Sequence, residues 1–135
     1  MIRRRRLPAE LEDAERGFAA VLGDIEPAKA ALAQVMPSTR LPGRPLPDAI
    51  GEFEDRLRAA EAGMPAWRCP QTQDVWADCD AGIGEAAGRA RRLREDAPDL
   101  GGFEGLIWAV EHLMAPLEPF ERAAARFESL KVRVR

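Results

Sequence analysis

The 135 residues are 46% hydrophobic and 32% charged, with a formal net charge of -3, a globular composition too apolar for a disordered chain. That length builds one domain around a single core without disulfide or metal staples, and no apolar run approaches the roughly 18 residues of a membrane span. All 23 acids and only 13 bases lie in residues 7–130, between basic ends at Arg3 to Arg6 and at Lys131, Arg133 and Arg135, which argues against nucleic acid as a partner because phosphate binding needs a basic face.

The N-terminus, MIRRRRLPAELED, has a basic start but no apolar h-region, and acids follow from Glu10. It reads as neither a signal nor a transit peptide, and a cytoplasmic location is the expectation. The two cysteines, Cys69 and Cys79, are then expected as free thiols of a reducing compartment. Of the 20 basic residues all but Lys29 and Lys131 are arginine, a skew that matches the coding of GC-rich bacterial genomes.

Four segments carry apolar residues spaced four and three apart, the mark of helices meeting along a seam. The first runs Leu7, Leu11, Ala14, Phe18, Val21, Ile25, Ala28, Leu32, Val35 without a break in register. It continues through Pro27, which predicts a bend there and not an end. Next, PSTRLPGRP, Pro37 to Pro45, reads as an extended linker. The second seam is Leu46, Ile50, Phe53, Leu57, Ala60, Met64. At 1.5 Å per residue this helix spans only about 27 Å against about 40 Å for the others. Leu41 and Leu46 are expected to close the resulting gap at the top, and incomplete closure would leave a groove at Val35, Met36, Leu100 and Phe103.

The stretch GMPAWRCPQTQDVWADC, Gly63 to Cys79, holds both cysteines and two of the three tryptophans. Gly63, Pro65 and Pro70 bracket a turn, with Cys69 as the cap and Pro70 as the first residue of the third helix, where its missing N–H is harmless. Cys79 then lies about 15 Å along the helix, too far for a disulfide. One histidine and a C-x9-C pair supply too few ligands for zinc. Trp67, Trp76 and Cys79 read as an apolar plug. The third seam runs Trp76, Cys79, Ile83, Ala86, Ala90, Leu93, Ala97, and APDLGG, Ala97 to Gly102, stops it, with Asp99 as a cap for the fourth helix. The fourth seam runs Leu106, Val110, Leu113, Leu117, Phe120, Ala124, Phe127 and passes through Pro116 with a bend.

The expected fold is therefore all-α: an up-down-up-down four-helix bundle over residues 7–130, with short basic tails at 1–6 and 131–135. Candidate sites are few. Glu12-x-x-Glu15 and Glu52-x-x-Asp55 each put two acids on neighbouring helical turns, and four convergent carboxylates would hold magnesium. The pattern resembles the ExxE and ExxD elements of MazG-type all-α nucleotide pyrophosphohydrolases, a resemblance limited to these four residues and one that implies a metal-dependent nucleotide hydrolase. The linker between the two elements is longer and richer in proline than that pattern has. Glu-x-x-His di-iron elements are absent, since Ala109 precedes His112 by three, and no glycine-rich loop follows a strand.

A second surface lies opposite the seams. Trp108 and His112 project from the outer side of the fourth helix, one turn apart, and Ala77, Ala81, Gly84 and Gly88 form a small-residue strip on the outer side of the third. An exposed helical glycine costs about 1 kcal/mol relative to alanine, so two on one strip suggest a surface that another helix approaches closely. The expected role is non-enzymatic: protein-protein interaction without a cofactor, the simplest partner being a second copy. The Arg3 to Arg6 tail offers a further reading, a tether to nucleic acid or an acidic membrane.

Overall fold

A computed structural model describes residues 4–96 and 102–134, and in it the all-α four-helix bundle expected from the seams is the fold observed. All nine residues of the first seam are buried, along helix α1 (Ala9–Ala33) and its flanks. Pro27 sits inside that helix without ending it. Helix α2 (Leu46–Gly63) buries Ile50, Phe53, Leu57 and Ala60 and passes into a 3-10 turn, Met64–Trp67. It lies antiparallel to α1, because Arg56 pairs with Asp24 while Gly63, at the far end of α2, abuts Val21.

Cys69 is the extended residue before a second 3-10 turn, Pro70–Thr72, which leads into α3 (Gln73–Asp96). Buried Thr72 is satisfied there, its hydroxyl 3.0 Å from Cys69 Sγ and donating to the Trp67 carbonyl at 3.4 Å. The plug forms from Trp67 and Cys79, both fully buried, with Phe18 edge-on to Trp67 at 4.8 Å. Trp76 is half-buried and packs on the edge of the core: its indole N–H donates to the Met64 carbonyl and its ring lies under Arg68, while smaller Val75 is buried. Both cysteines are free, and burial pushes the Cys79 thiol up to about 12.

The fourth wall is two helices, α4 (Phe103–Met114) and α5 (Pro119–Ser129), joined by a 3-10 turn at Ala115–Leu117. Pro116 therefore interrupts the helix instead of bending it, but the chain does not reverse. Against α3 the pairs Arg89 with His112, Gly82 with Pro116, Asp78 with Arg122 and Asp74 with Arg126 follow one antiparallel line through the interruption. A 3-10 turn has three residues per turn, and the spacing of three continues from Leu117 through Phe120 to Ala123. Within α5 Ala123 is buried, and Ala124, the expected core position, is exposed.

Two further expectations are corrected at the ends. The linker is folded, not extended: the Ser38 amide donates to the Leu41 carbonyl, the Ser38 hydroxyl accepts from the Leu41 amide, and the Arg44 amide donates to the Gln34 carbonyl at 2.8 Å. Gly43 is pressed on the Val35 carbonyl. That turn points Leu41 outward, 70% exposed, so it does not close the bundle, whereas Leu46 packs partly on the core. At the other end the two basic tails meet. Strand β1 (Arg4–Arg6) pairs antiparallel with β2 (Val132–Val134), Arg5 opposite Arg133. An even number of antiparallel helices brings both termini to one end, which makes the pairing possible.

Candidate functional site

The exposed side of α3 is built from residues that its core stripe leaves over. Val75, Cys79, Ile83, Ala86, Ala90 and Leu93 face inward, and at 100° per residue the opposite side carries Ala77, Ala81, Gly84 and Gly88. The first three are exposed and Gly88 is half-buried. Nothing lies within 4 Å of a Cβ placed on Gly84, and the guanidinium of Arg92 covers Gly88 at 3.4 Å. The strip is open at Gly84 and partly covered at Gly88.

Gly82, two residues before Gly84, has the reverse surroundings. A Cβ there would collide with the Pro116 carbonyl oxygen, so the interrupted fourth wall approaches α3 backbone to backbone. That docking leaves a shallow groove of ≈ 380 Å³ beside the strip. Ala81, Gly82, Ala115, Pro116 and Pro119 line it with apolar surface, and Asp78, Glu85 and Glu118 add carboxylates. A smaller hollow of ≈ 210 Å³ between α2 and α3 is lined by Gly84, Ala87 and Gly88 of α3 and edged by Glu54, Arg58 and Arg91. Glu54 Oε1 is buried there, 3.0 Å from Arg94 Nη1.

Trp108 is 51% exposed and stacks on His112, ring centroids 4.7 Å apart and 13° from parallel. The pair is fixed to α3 from behind, because Arg89 donates to the His112 carbonyl at 2.9 Å and to Glu85 at 2.9 Å. Partial burial, with Arg89 and Arg92 beside it, lowers the His112 pKa. The Arg89 hydrogen bond lowers that of Glu85. Arg92, 3.7 Å from Glu85, bridges the ground between the aromatic pair and the glycines. Trp108, His112, Gly84 and Gly88 thus share one continuous outer face.

The four acids of the hydrolase reading do not converge. Asp55 neighbours Arg56, which pairs with Asp24, and Glu15 lies nine residues, about 14 Å, further along α1. Glu52 pairs with Arg44 at 3.3 Å and Asp55 with Arg58. The antiparallel course of α1 and α2 sends the two motifs to opposite ends. Among the described residues no three His, Cys, Asp or Glu side chains are grouped to hold a metal ion, and no helix is long and apolar enough to cross a membrane. Of the expected top groove, Val35 is buried, Met36 half-buried and Phe103 57% exposed, while Leu100 and the cap residue Asp99 lie outside the described residues. No protein-family model, curated protein or solved structure matches the chain.

Two features of this face escape a reading of the seams. The 3-10 turn at Pro116, hence the groove, has its signal in the G-x-G of Gly82 and Gly84, where only one glycine is on the outer strip. The other is the order of charge along α3, legible once the strip is defined.

Proposed function

We propose that this is a non-enzymatic protein of the cytoplasm that works by binding protein through the outer face of α3 and α4. The observation that carries the reading is the half-exposed Trp108, held in place by its stack on His112, on the same side of the bundle as Gly84, which no part of the chain covers. Burying a side chain of that size contributes on the order of 2 to 3 kcal/mol. Tryptophans are enriched among the few residues that dominate interfaces. Backbone left bare at Gly84 weakens the isolated helix and contributes nothing to the core. A partner helix lying on the strip accounts for both features.

Trp108→Ala removes the anchor and Gly84→Leu blocks the close approach, and the open surroundings of both residues leave the fold intact. The test is association of each folded variant, measured by sedimentation and by co-purification from native cells. Loss of association in both is the expected result. Unchanged association in both would leave this face without a role.

A further inference from the structure

Granted that the outer face binds protein, the order of charge along α3 identifies the partner. Beside the strip Asp78 pairs with Arg122, and Glu85 with Arg89 and Arg92, within the chain, while exposed Asp80 precedes Gly84 and exposed Arg91 follows Gly88. A helix laid parallel in register on this face would set acid against acid and arginine against arginine, whereas an antiparallel copy sets each half on its complement. Juxtaposed like charges select against the wrong arrangement, and complementary ones fix register.

We propose that a second copy of this chain docks on the outer face of α3, antiparallel to it, about a two-fold axis passing between Gly84 and Gly88. Asp80 and Arg91 set the register. They are eleven residues apart, which at 100° per residue brings them to the same flank of the helix, separated by about 16 Å along its axis. In an antiparallel pair like flanks meet, so an axis midway between the two places Asp80 of each copy beside Arg91 of the other. Both are exposed. The same operation treats the aromatic pair and the groove as mates. Trp108 lies one turn beyond His112 toward the Arg92 end of α3, and the apolar groove at Ala81, Pro116 and Pro119 lies toward the Asp78 end. The axis between them carries each tryptophan toward the partner's groove. A self-complementary patch of this kind is what a closed dimer requires.

Sedimentation equilibrium of the full chain and of three charge variants tests the register. The wild type is expected as a dimer. Asp80→Arg and Arg91→Asp should each raise the dissociation constant at least about ten-fold, since two-fold symmetry counts every reversal twice. The doubly reversed variant, Asp80→Arg with Arg91→Asp, should recover most of the loss. Rescue is a result that a merely structural role for either residue would not give. A dimer indifferent to all three variants but broken by Gly84→Leu would overturn the antiparallel register and keep the protein-binding face. A wild type that stays monomeric at about 100 μM would overturn the second copy as occupant. The face would then be judged by whether Trp108→Ala and Gly84→Leu lose a different native partner.

Discussion

Gly82 and Gly84 stand two residues apart on α3 in opposite surroundings. At Gly82 the Pro116 carbonyl takes the place of a side chain, and at Gly84 a Cβ would meet nothing within 4 Å. Both residues weaken the helix as such, by about 1 kcal/mol relative to alanine. At Gly82 the close packing of the fourth wall offsets that loss within the monomer. At Gly84 no atom of the chain lies within 4 Å of a Cβ, and the partner helix proposed above would supply the compensation. The two glycines thus separate the face of α3 that the fold packs from the face that it leaves open.

The inner region should be the fragile one. Phe18 lies between Trp67 at 4.8 Å and Phe127 at 5.1 Å and is buried. Phe18→Ala should lower the unfolding free energy by about 3 to 5 kcal/mol, the range for aromatic truncations in packed cores, as read from urea unfolding. A loss below about 0.5 kcal/mol, the size usual at surfaces, would break the contrast at its stronger side.

The glycines sharpen it with the same substitution made twice. Gly82→Ala drives a methyl into the Pro116 carbonyl and should destabilise by about 1 to 3 kcal/mol, as overpacking does. Gly84→Ala adds a methyl in open space and should stabilise by up to about 1 kcal/mol. Thermal unfolding of the pair measures both signs, and equal signs would show that the two faces do not differ.

The bundle was legible because one seam after another keeps the four-three spacing, and nine consecutive seam positions along α1 and its flanks fix the phase. The seams erred by one residue at two places. In α5 the buried position is Ala123 and not Ala124, and in α3 Val75, four residues before Cys79, is buried where Trp76, three before it, is half-buried. Neither change leaves a periodic trace in apolar residues. Leu41 illustrates a different limit, since the direction of a loop side chain depends on a turn closed by Ser38 and not on hydrophobicity. Trp108 and the strip were visible as residues left over from the seams. Glu12, Glu15, Glu52 and Asp55 were not separable from a true cluster, because the spacing within each helix says nothing of which ends meet.

The outer anchor should be dispensable to the monomer. Trp108→Ala should change unfolding free energy by no more than about 0.5 kcal/mol, the surface range, measured on dilute protein so that association does not contribute. A larger loss would mean that the indole serves the fold, and the contrast between faces would then fail at the aromatic pair.

The smallest expected effect lies where α3 meets α5. Arg126 donates to both carboxylate oxygens of Asp74 at 2.8 Å, and these hydrogen bonds hold the carboxyl at about 2, against an ordinary value of 3.8. A carboxyl whose pKa is depressed by folding binds its proton more readily in the unfolded chain. Its contribution is therefore complete above the unfolded value and is lost as pH falls from about 4 toward about 2. Because the pair is exposed, salt and mobility reduce its effect on stability. Asp74→Asn should lower the stability slightly above about pH 4 and leave it nearly unchanged below about pH 2, which flattens the acid limb between them. Moderate salt should shrink the difference between the two proteins, since screening weakens the exposed pair that distinguishes them. Parallel acid limbs for variant and wild type would show that the Asp74 pair, although bidentate, contributes nothing to holding α5 on α3.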